Sequence, residues 1–187
     1  MRNKLILILL ACTTFTSCTR NSGPSSTSKY TSQGVDKDIK GEVSAPKKSK
    51  AAIDYYVTVV NVVDGDTFDA VTQDRIEIRF RLHGIDAPER KQDFSAKSKD
   101  KLSELIFGKK VGIKVYNKRD GYGRPVVYVI TDECADVGAE MLRTGLAWHS
   151  KKYDDSELYD ELEIEARKKK RGLWSVNNPI PPWEYRK

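Results

Sequence analysis

The chain has 187 residues, enough for one globular domain with an appendage, and carries a formal net charge of +6 at pH 7. Residues 51–187 hold 24 basic and 24 acidic side chains, so the excess lies towards the N-terminus, and overall charge is no evidence that the domain binds a polyanion. Outside the first 18 residues the only cysteine is Cys134, which excludes an intradomain disulfide and leaves stability to packing.

The first segment has the plan of a secretory signal. Two basic residues precede the apolar run of residues 5–11, which is too short to span a membrane. Small residues directly before Cys18 resemble a bacterial lipobox, in which the cysteine is diacylated and becomes the mature N-terminus. We therefore predict a lipoprotein signal peptide over residues 1–18, a lipid anchor on Cys18 and an extracytoplasmic location. The alternatives are cleavage near Cys12, or an ordinary signal peptide that leaves a secreted or periplasmic protein.

Residues 19–52 are predicted to form a disordered tether. They are rich in Ser, Thr, Lys, Gly and Pro and have almost no large apolar side chains, so they cannot bury enough surface to fold. On a lipoprotein, such a tether would hold the domain clear of the membrane. Its lysines would then lie near anionic headgroups, although a plain linker is the simpler interpretation.

The domain proper, residues 53–176, begins with a predicted three-stranded meander. Residues 55–63 and 67–71 are β-branched and aromatic, and residues 76–82 alternate between apolar and polar side chains. In the third strand Arg81 lies on the polar face. The opposite face is apolar and consists of Ile76, Ile78, Phe80 and Leu82.

The rest of the domain is predicted to contain three helices and two more strands. The helices are expected at residues 95–107, near 137–144, and from 154–156 to the basic run at 168–171; the strands are expected at 111–116 and 126–130. The third helix should bury Leu158, Leu162 and Ala166. Its basic end is attributed to the helix dipole rather than to a nucleic-acid patch. Residues 177–187 are predicted to be an extended tail rich in Pro and Trp.

Five strands with a helix between the third and fourth favour an α+β fold, a small, partly open β-barrel of the OB type with three helices. Periodicity alone also allows another α+β arrangement.

Aspartates at two strand ends form a candidate cation site. Asp64 and Asp66 follow the first strand and Asp86 follows the third. Oxygen donors without neighbouring paired His or Cys favour calcium, magnesium or manganese over zinc. Because Pro88 pushes Ala87 into an extended conformation, the Ala87 carbonyl points in a fixed direction and is a candidate additional ligand. Taken alone, however, the Asp-Gly-Asp-Thr stretch would be a plain turn.

Glu89 and two arginines add the groups that attack on a phosphodiester requires. Glu89 would orient or deprotonate the attacking water. Arg81 and Arg124 would neutralise charge that builds on the phosphoryl oxygens. His83 lies close to the acids in sequence, but we interpret it as a packed or surface histidine rather than a base.

These motifs, in this order, resemble those of the staphylococcal nuclease (thermonuclease) family. The resemblance covers roughly residues 55–175. It is carried by Val63-Asp64-Gly65-Asp66-Thr67, Arg81 to Glu89, Asp120-Gly121-Tyr122-Gly123-Arg124, Gly145-Leu146-Ala147 and Gly172-Leu173-Trp174.

The resemblance implies an OB-fold barrel with three helices and calcium-dependent hydrolysis of DNA and RNA by metal-assisted attack of water, leaving 3′-phosphate ends. It also implies a role for each matching residue. Asp66, Asp86 and the Ala87 carbonyl would bind Ca²⁺, and Asp64 would act on it through water. Arg81 and Arg124 would bind the phosphate and stabilise the transition state, and Glu89 would deprotonate or position the water. Tyr122 would lie beside the terminal phosphate of the substrate, and Tyr153 would match the second of two substrate-binding tyrosines.

Two residues depart from the best-known member of the family. Ala87 replaces a threonine. This change leaves the predicted metal ligand intact, because the ligand is the backbone carbonyl of residue 87. Lys151 replaces a tyrosine that stacks on a base, so the resemblance does not extend to base preference, whereas it still extends to catalysis. The competing hypothesis is a non-catalytic OB-fold lipoprotein that binds single-stranded nucleic acid, and a weaker one is a structural lipoprotein whose acids bind calcium for stability. The sequence implies no protein partner.

Overall fold

The computed structural model describes residues 52–187, whose β-branched segments form a closed five-stranded barrel. The leader, Cys18 and nearly all of the tether lie outside the described residues, so their assignments stay predictions. The strands are β1 (Tyr55–Val62), β2 (Thr67–Val71), β3 (Glu77–Leu82), β4 (Ile85–Asp86), β5 (Lys110–Arg119), β6 (Pro125–Ile130) and β7 (Trp148–His149).

The barrel has the strand order β1-β2-β3-β6-β5, antiparallel except where β3 pairs with β6. The five-stranded α+β barrel is thus confirmed, although it is closed rather than partly open. Closure by the β3–β6 pair removes the exposed edges that an open sheet would leave.

Alternation along the strands places the core where the sequence predicts it. Phe68 and Phe80 face each other across β2 and β3, with ring centroids 5.4 Å apart, and neither is exposed to solvent. Leu82 is buried two residues further along β3. Ile76, however, precedes the strand and is 58% exposed, so its predicted place on the buried face is wrong.

Helices cover the barrel and extend beyond it. They are α1 (Ser95–Ile106), α2 (Val137–Arg143), α3 (Glu157–Lys168) and α4 (Pro182–Tyr185), with a 3-10 helix at Gly172–Ser175. The three predicted helices are confirmed. The fourth lies in the tail, which is therefore not simply extended. No helix within residues 52–187 has the length and apolar character needed to cross a membrane.

The buried face of α3 differs from the predicted one. Leu158 is 53% exposed, whereas its neighbour Tyr159 is buried together with Leu162 and Ala166. The Tyr159 hydroxyl donates to Asp136, the N-cap of α2. Packing of α3 on α2 therefore selects a stripe that begins one residue later than predicted.

Two contacts outside the barrel position the acidic segments. The short strands β4 and β7 pair, with Asp86 opposite Trp148. Gly65, in the turn between β1 and β2, lies so close to α1 that a Cβ there would stand 1.8 Å from Ser98 Oγ and 2.8 Å from Ala87 Cβ. Only glycine lets this acidic turn approach both the helix and the segment after β4.

Candidate active site

The domain residues assigned to a site from sequence line one cleft of about 700 Å³. They are Asp64, Asp66, Arg81, Asp86, Ala87, Glu89, Tyr122, Arg124 and Tyr153. The elements that supply them are the β1–β2 turn, β3, β4 and its following segment, the β5–β6 loop and the segment before α3. The fold brings all of these residues together in this cleft, while their individual roles stay predictions.

Asp66 is the most enclosed acid of the cleft, with 3% of its surface exposed. One carboxylate oxygen accepts from the Thr67 hydroxyl at 2.9 Å and the other from the Ala87 amide at 2.8 Å. The Asp66 amide itself donates to Asp64 Oδ1 at 3.0 Å, so Asp64 fixes the turn. Burial raises the pKa of the Asp66 carboxyl, an effect that the Arg81 guanidinium opposes and the Asp64 carboxylate reinforces.

Arg81 joins the two buried aspartates. Its Nη1 contacts Asp66 Oδ1, and its Nη2 donates to Asp86 Oδ1 at 2.9 Å and to the Ile85 carbonyl at 3.2 Å. Burial alone would lower the pKa of Arg81, but the two carboxylates raise it, so the guanidinium is charged. One side chain on the polar face of β3 thus bridges acids from two separate segments.

Arg124 approaches from the β5–β6 loop and is held by Asp120. Asp120 Oδ2 accepts from Arg124 Nε at 2.5 Å, while Oδ1 accepts from the backbone amides of Tyr122 and Arg124. Burial would raise the pKa of Asp120, but these hydrogen bonds lower it overall. Arg124 Nη1 then donates to the Thr67 hydroxyl at 3.1 Å, and the same hydroxyl donates to Asp66.

Glu89 contacts a residue that the sequence analysis did not assign to the site. Its side chain is 36% exposed, and its Oε1 accepts from Nη1 of Arg186. Arg186 also donates to both oxygens of Asp86, at 2.6 and 3.3 Å. The hydrogen bond to Asp86 is the main cause that raises the pKa of Arg186. A basic residue in an aromatic tail was the only sequence signal, and it indicates no particular partner.

Exposed aromatic and basic side chains surround the mouth of the cleft. Tyr122 is 89% exposed with the Arg124 guanidinium 5.3 Å from its ring centroid, and Tyr153 is 65% exposed. The Lys152 Nζ atom lies 5.2 Å from the Tyr153 ring centroid, so a cation lies over each ring. Lys151, which stands in place of a stacking tyrosine, is tied to Asp160 at 2.6 Å.

His83 is a packed histidine, the first of the two predicted alternatives. It is buried, stacks on Tyr116 and bonds through Nε2 to Asp154 at 2.9 Å. The other oxygen of Asp154 contacts His149 Nε2, also at 2.9 Å. Asp154 thus connects His83, the residue after β3, with His149 of β7. These contacts hold the two segments together at the wall of the cleft.

The donor atoms suit a hard cation. Asp66 and Asp86 offer buried carboxylate oxygens, the ligand type that calcium and magnesium prefer. Within the described part of the chain, however, no three His, Cys, Asp or Glu side chains form a metal-binding group. An ion would therefore be held by two carboxylates, with backbone and water completing its coordination. The Ala87 amide, not its carbonyl, is the group that contacts Asp66, and this leaves the carbonyl to its predicted role.

Comparison with known proteins supplies independent evidence. A family model described as staphylococcal nuclease homologue matches residues 79–176. An uncharacterized endonuclease of Escherichia coli O157:H7 is 42% identical over 133 residues, covering 71% of this chain and 86% of the relative. An uncharacterized endonuclease of Haemophilus influenzae is 38% identical over 129 residues, covering 69% and 71%. The micrococcal nuclease of Shigella flexneri is 36% identical over 145 residues, covering 72% and 82%.

Proposed function

Because the chain belongs to the staphylococcal nuclease family and is a nuclease, a hydrolase that acts on nucleic acid, we propose that it hydrolyses both DNA and RNA with Ca²⁺ as its cofactor and leaves 3′-phosphate ends. The finer parts of this proposal are the metal, the range of substrates and the position of the cut. We carry these three properties over from the family because the site residues of this chain resemble those of the family.

One observation carries the proposal: two guanidinium groups converge on the same buried carboxylate. Arg81 contacts Asp66 directly, and Arg124 reaches it through the Thr67 hydroxyl. Two preorganised cationic groups beside an acid pair form a site for a phosphate and a metal together. A module that only binds single strands needs neither the buried acids nor their fixed spacing.

Each of the side chains in the cleft has a separate role in the proposed hydrolysis. Glu89, which is partly exposed, would hold a water molecule and take up its proton as the water oxygen attacks phosphorus. Arg81 and Arg124 would donate hydrogen bonds to the phosphoryl oxygens, where negative charge increases. The bond from phosphorus to the 5′ oxygen would break, and the leaving 5′ oxygen would take up a proton from solvent, so the phosphate stays on the 3′ side. Ca²⁺ held by Asp66 and Asp86 would supply Lewis-acid polarisation of the phosphoryl group.

The test is cleavage of plasmid DNA and of RNA by the purified protein, with calcium and then with excess chelator. We expect cleavage of both substrates that stops when the ion is removed and returns when calcium is restored. Digestion of the products with a 3′-specific phosphatase, followed by mass measurement, identifies the ends. Binding without cleavage under calcium, magnesium and manganese would instead favour the OB-fold binding module.

We also propose that the protein is extracytoplasmic and anchored to the bacterial membrane through a lipid on Cys18. The supporting feature is the lipobox-like sequence before that cysteine. Cys18→Ser should release the protein from the membrane fraction, whereas Cys12→Ser should leave it there. Retention of the Cys18→Ser protein in the membrane would contradict a lipid anchor on Cys18. Release by Cys12→Ser alone would show that the anchor is on Cys12.

A further inference from the structure

Residues 177–187, here called the strap, are fixed against the domain. The Ile180 carbonyl accepts a hydrogen bond from Gln92 Nε2 at 2.5 Å. Three residues later the Trp183 ring meets Trp148 edge-to-face, with centroids 6.5 Å apart. Trp148 belongs to β7, the strand that pairs with the Asp86 segment. The strap is therefore anchored to the same elements that build the cleft.

Arg186 directly follows α4, at the position where the strap enters the cleft. Its Nη2 lies 2.6 Å from one oxygen of Asp86, and its Nη1 contacts both the other oxygen of Asp86 and Glu89. The guanidinium thus forms a two-pronged contact with Asp86 and a further one with Glu89. Arg186 thus contacts both the proposed metal ligand, Asp86, and the residue proposed to hold the attacking water, Glu89.

Both acids must be free for the reaction. Asp86 needs its lone pairs for the cation, and Glu89 needs them for a water molecule and its proton. Arg81 Nη2 and Arg186 Nη1 share one oxygen of Asp86, and Arg186 Nη2 takes the other, so a docked Arg186 leaves no Asp86 oxygen without a guanidinium contact. A dication can therefore bind the oxygen that Arg81 does not contact only if Arg186 leaves it. The guanidinium also occupies Glu89 Oε1, one of the two oxygens that could hold the water molecule.

We propose that the strap is autoinhibitory: when docked, Arg186 occupies Asp86 and Glu89, and Ca²⁺ binding displaces it. This inference rests on the calcium-dependent function proposed above. Thermodynamic linkage makes the competition reciprocal, so the docked strap weakens Ca²⁺ binding by the same factor by which Ca²⁺ weakens docking. The nuclease would then respond to calcium over a higher concentration range than its acids alone would set.

Calorimetric titration of the full chain with calcium chloride tests the proposal without relying on activity. We expect Arg186→Ala to bind Ca²⁺ roughly fivefold or more tightly than the wild type. Trp183→Ala weakens docking without changing the charge, so it should shift the affinity in the same direction. Lys187→Ala is the matched control, because it removes one positive charge beside Arg186 and should leave the affinity unchanged. The calcium concentration for half-maximal cleavage should shift in parallel.

The possible outcomes separate the strap from the calcium site. Equal affinity of wild type and Arg186→Ala would overturn the strap and leave the calcium site standing. Equal tightening by Arg186→Ala and Lys187→Ala, with none from Trp183→Ala, would show an unspecific charge effect and would also overturn it. If neither the wild type nor any variant binds calcium, the proposed calcium site is wrong and the strap falls with it.

Discussion

Gly172 and Gly145 approach so closely that a Cβ on Gly172 would stand 2.3 Å from the Gly145 carbonyl oxygen. That carbonyl accepts a hydrogen bond from the Leu173 amide at 2.8 Å. Both glycines have positive φ, at +50° and +70°. These two glycine-containing landmarks of the sequence are thus the two sides of one backbone contact, which fixes the 3-10 helix after α3 against the end of α2.

Replacement of Gly172 by alanine should therefore destabilise the fold. We expect Gly172→Ala to lower the free energy of unfolding by roughly 2 kcal/mol or more, because strain from positive φ adds to a clash with backbone that has no room to move. Gly108→Ala is the control, since Gly108 also has positive φ, +71°, but a Cβ there meets no atom within 4 Å. Gly108→Ala should lose about 1 kcal/mol, the cost of the left-handed conformation alone. Urea unfolding at neutral pH measures both, and equal losses would refute the role of the contact.

Features set by local pattern could be predicted from sequence, whereas features set by packing could not. Alternation within β3 assigned Phe80 and Leu82 to the core, because neighbouring residues of a strand point to opposite sides. A helical stripe is less specific: either Leu158 or Tyr159, four or three residues before Leu162, can share its face, and the contact of Tyr159 with α2 selects Tyr159.

In the candidate site, too, residues close together in sequence could be predicted, whereas a residue brought in by tertiary packing could not. Arg81, Asp86 and Glu89 lie within nine residues of chain, so a motif could represent them together. Arg186 contacts Asp86 across 100 residues of sequence, and no local pattern connects the two. The anchoring of the tail by tertiary contacts, rather than any periodicity, brings Arg186 into the cleft.

The role of Glu89 predicts a selective loss of turnover. Glu89→Gln keeps the size of the side chain but cannot accept a proton, so kcat should fall about 10²- to 10⁴-fold. The fold should be intact, because the backbone amide of Glu89 still donates to Gln92. Glu104→Gln, which alters a glutamate whose side chain is 68% exposed on α1, should cleave at the normal rate. Cleavage of plasmid DNA under saturating calcium gives both rates, and near-normal turnover of Glu89→Gln would refute the assignment.

Asp120 is predicted to act through Arg124 rather than on the substrate. Loss of its carboxylate frees the Arg124 guanidinium and two backbone amides, so Asp120→Ala should lower kcat roughly 10- to 100-fold. Asp120→Asn retains an acceptor for the loop amides and should recover part of the activity. Arg124→Ala should lose at least as much turnover as Asp120→Ala. An Asp120→Ala protein that remains fully active while Arg124→Ala is inactive would show that Arg124 needs no positioning.

Acid should weaken the barrel through Asp69. Asp69, on β2, accepts hydrogen bonds from its cross-strand neighbours Asn61 on β1 and Arg79 on β3. The hydrogen bond from Arg79 is the main cause that lowers the pKa of Asp69 from its ordinary 3.8. A carboxyl with a lowered folded-state pKa stabilises the fold fully above its unfolded-state pKa, and this contribution is lost as pH falls through the folded-state value.

Asp69→Asn should therefore cost about 1 to 2 kcal/mol at pH 7, and this cost should shrink as the pH is lowered towards 2 and the wild-type carboxyl takes up its proton. Urea unfolding of both proteins across this pH range gives the difference. Asp74→Asn, in the exposed β2–β3 turn, is the matched control, and its difference from the wild type should be small at both ends of the range. A cost for Asp69→Asn that stays constant from pH 7 to pH 2 would show that the loss arises from packing of the side chain rather than from its charge.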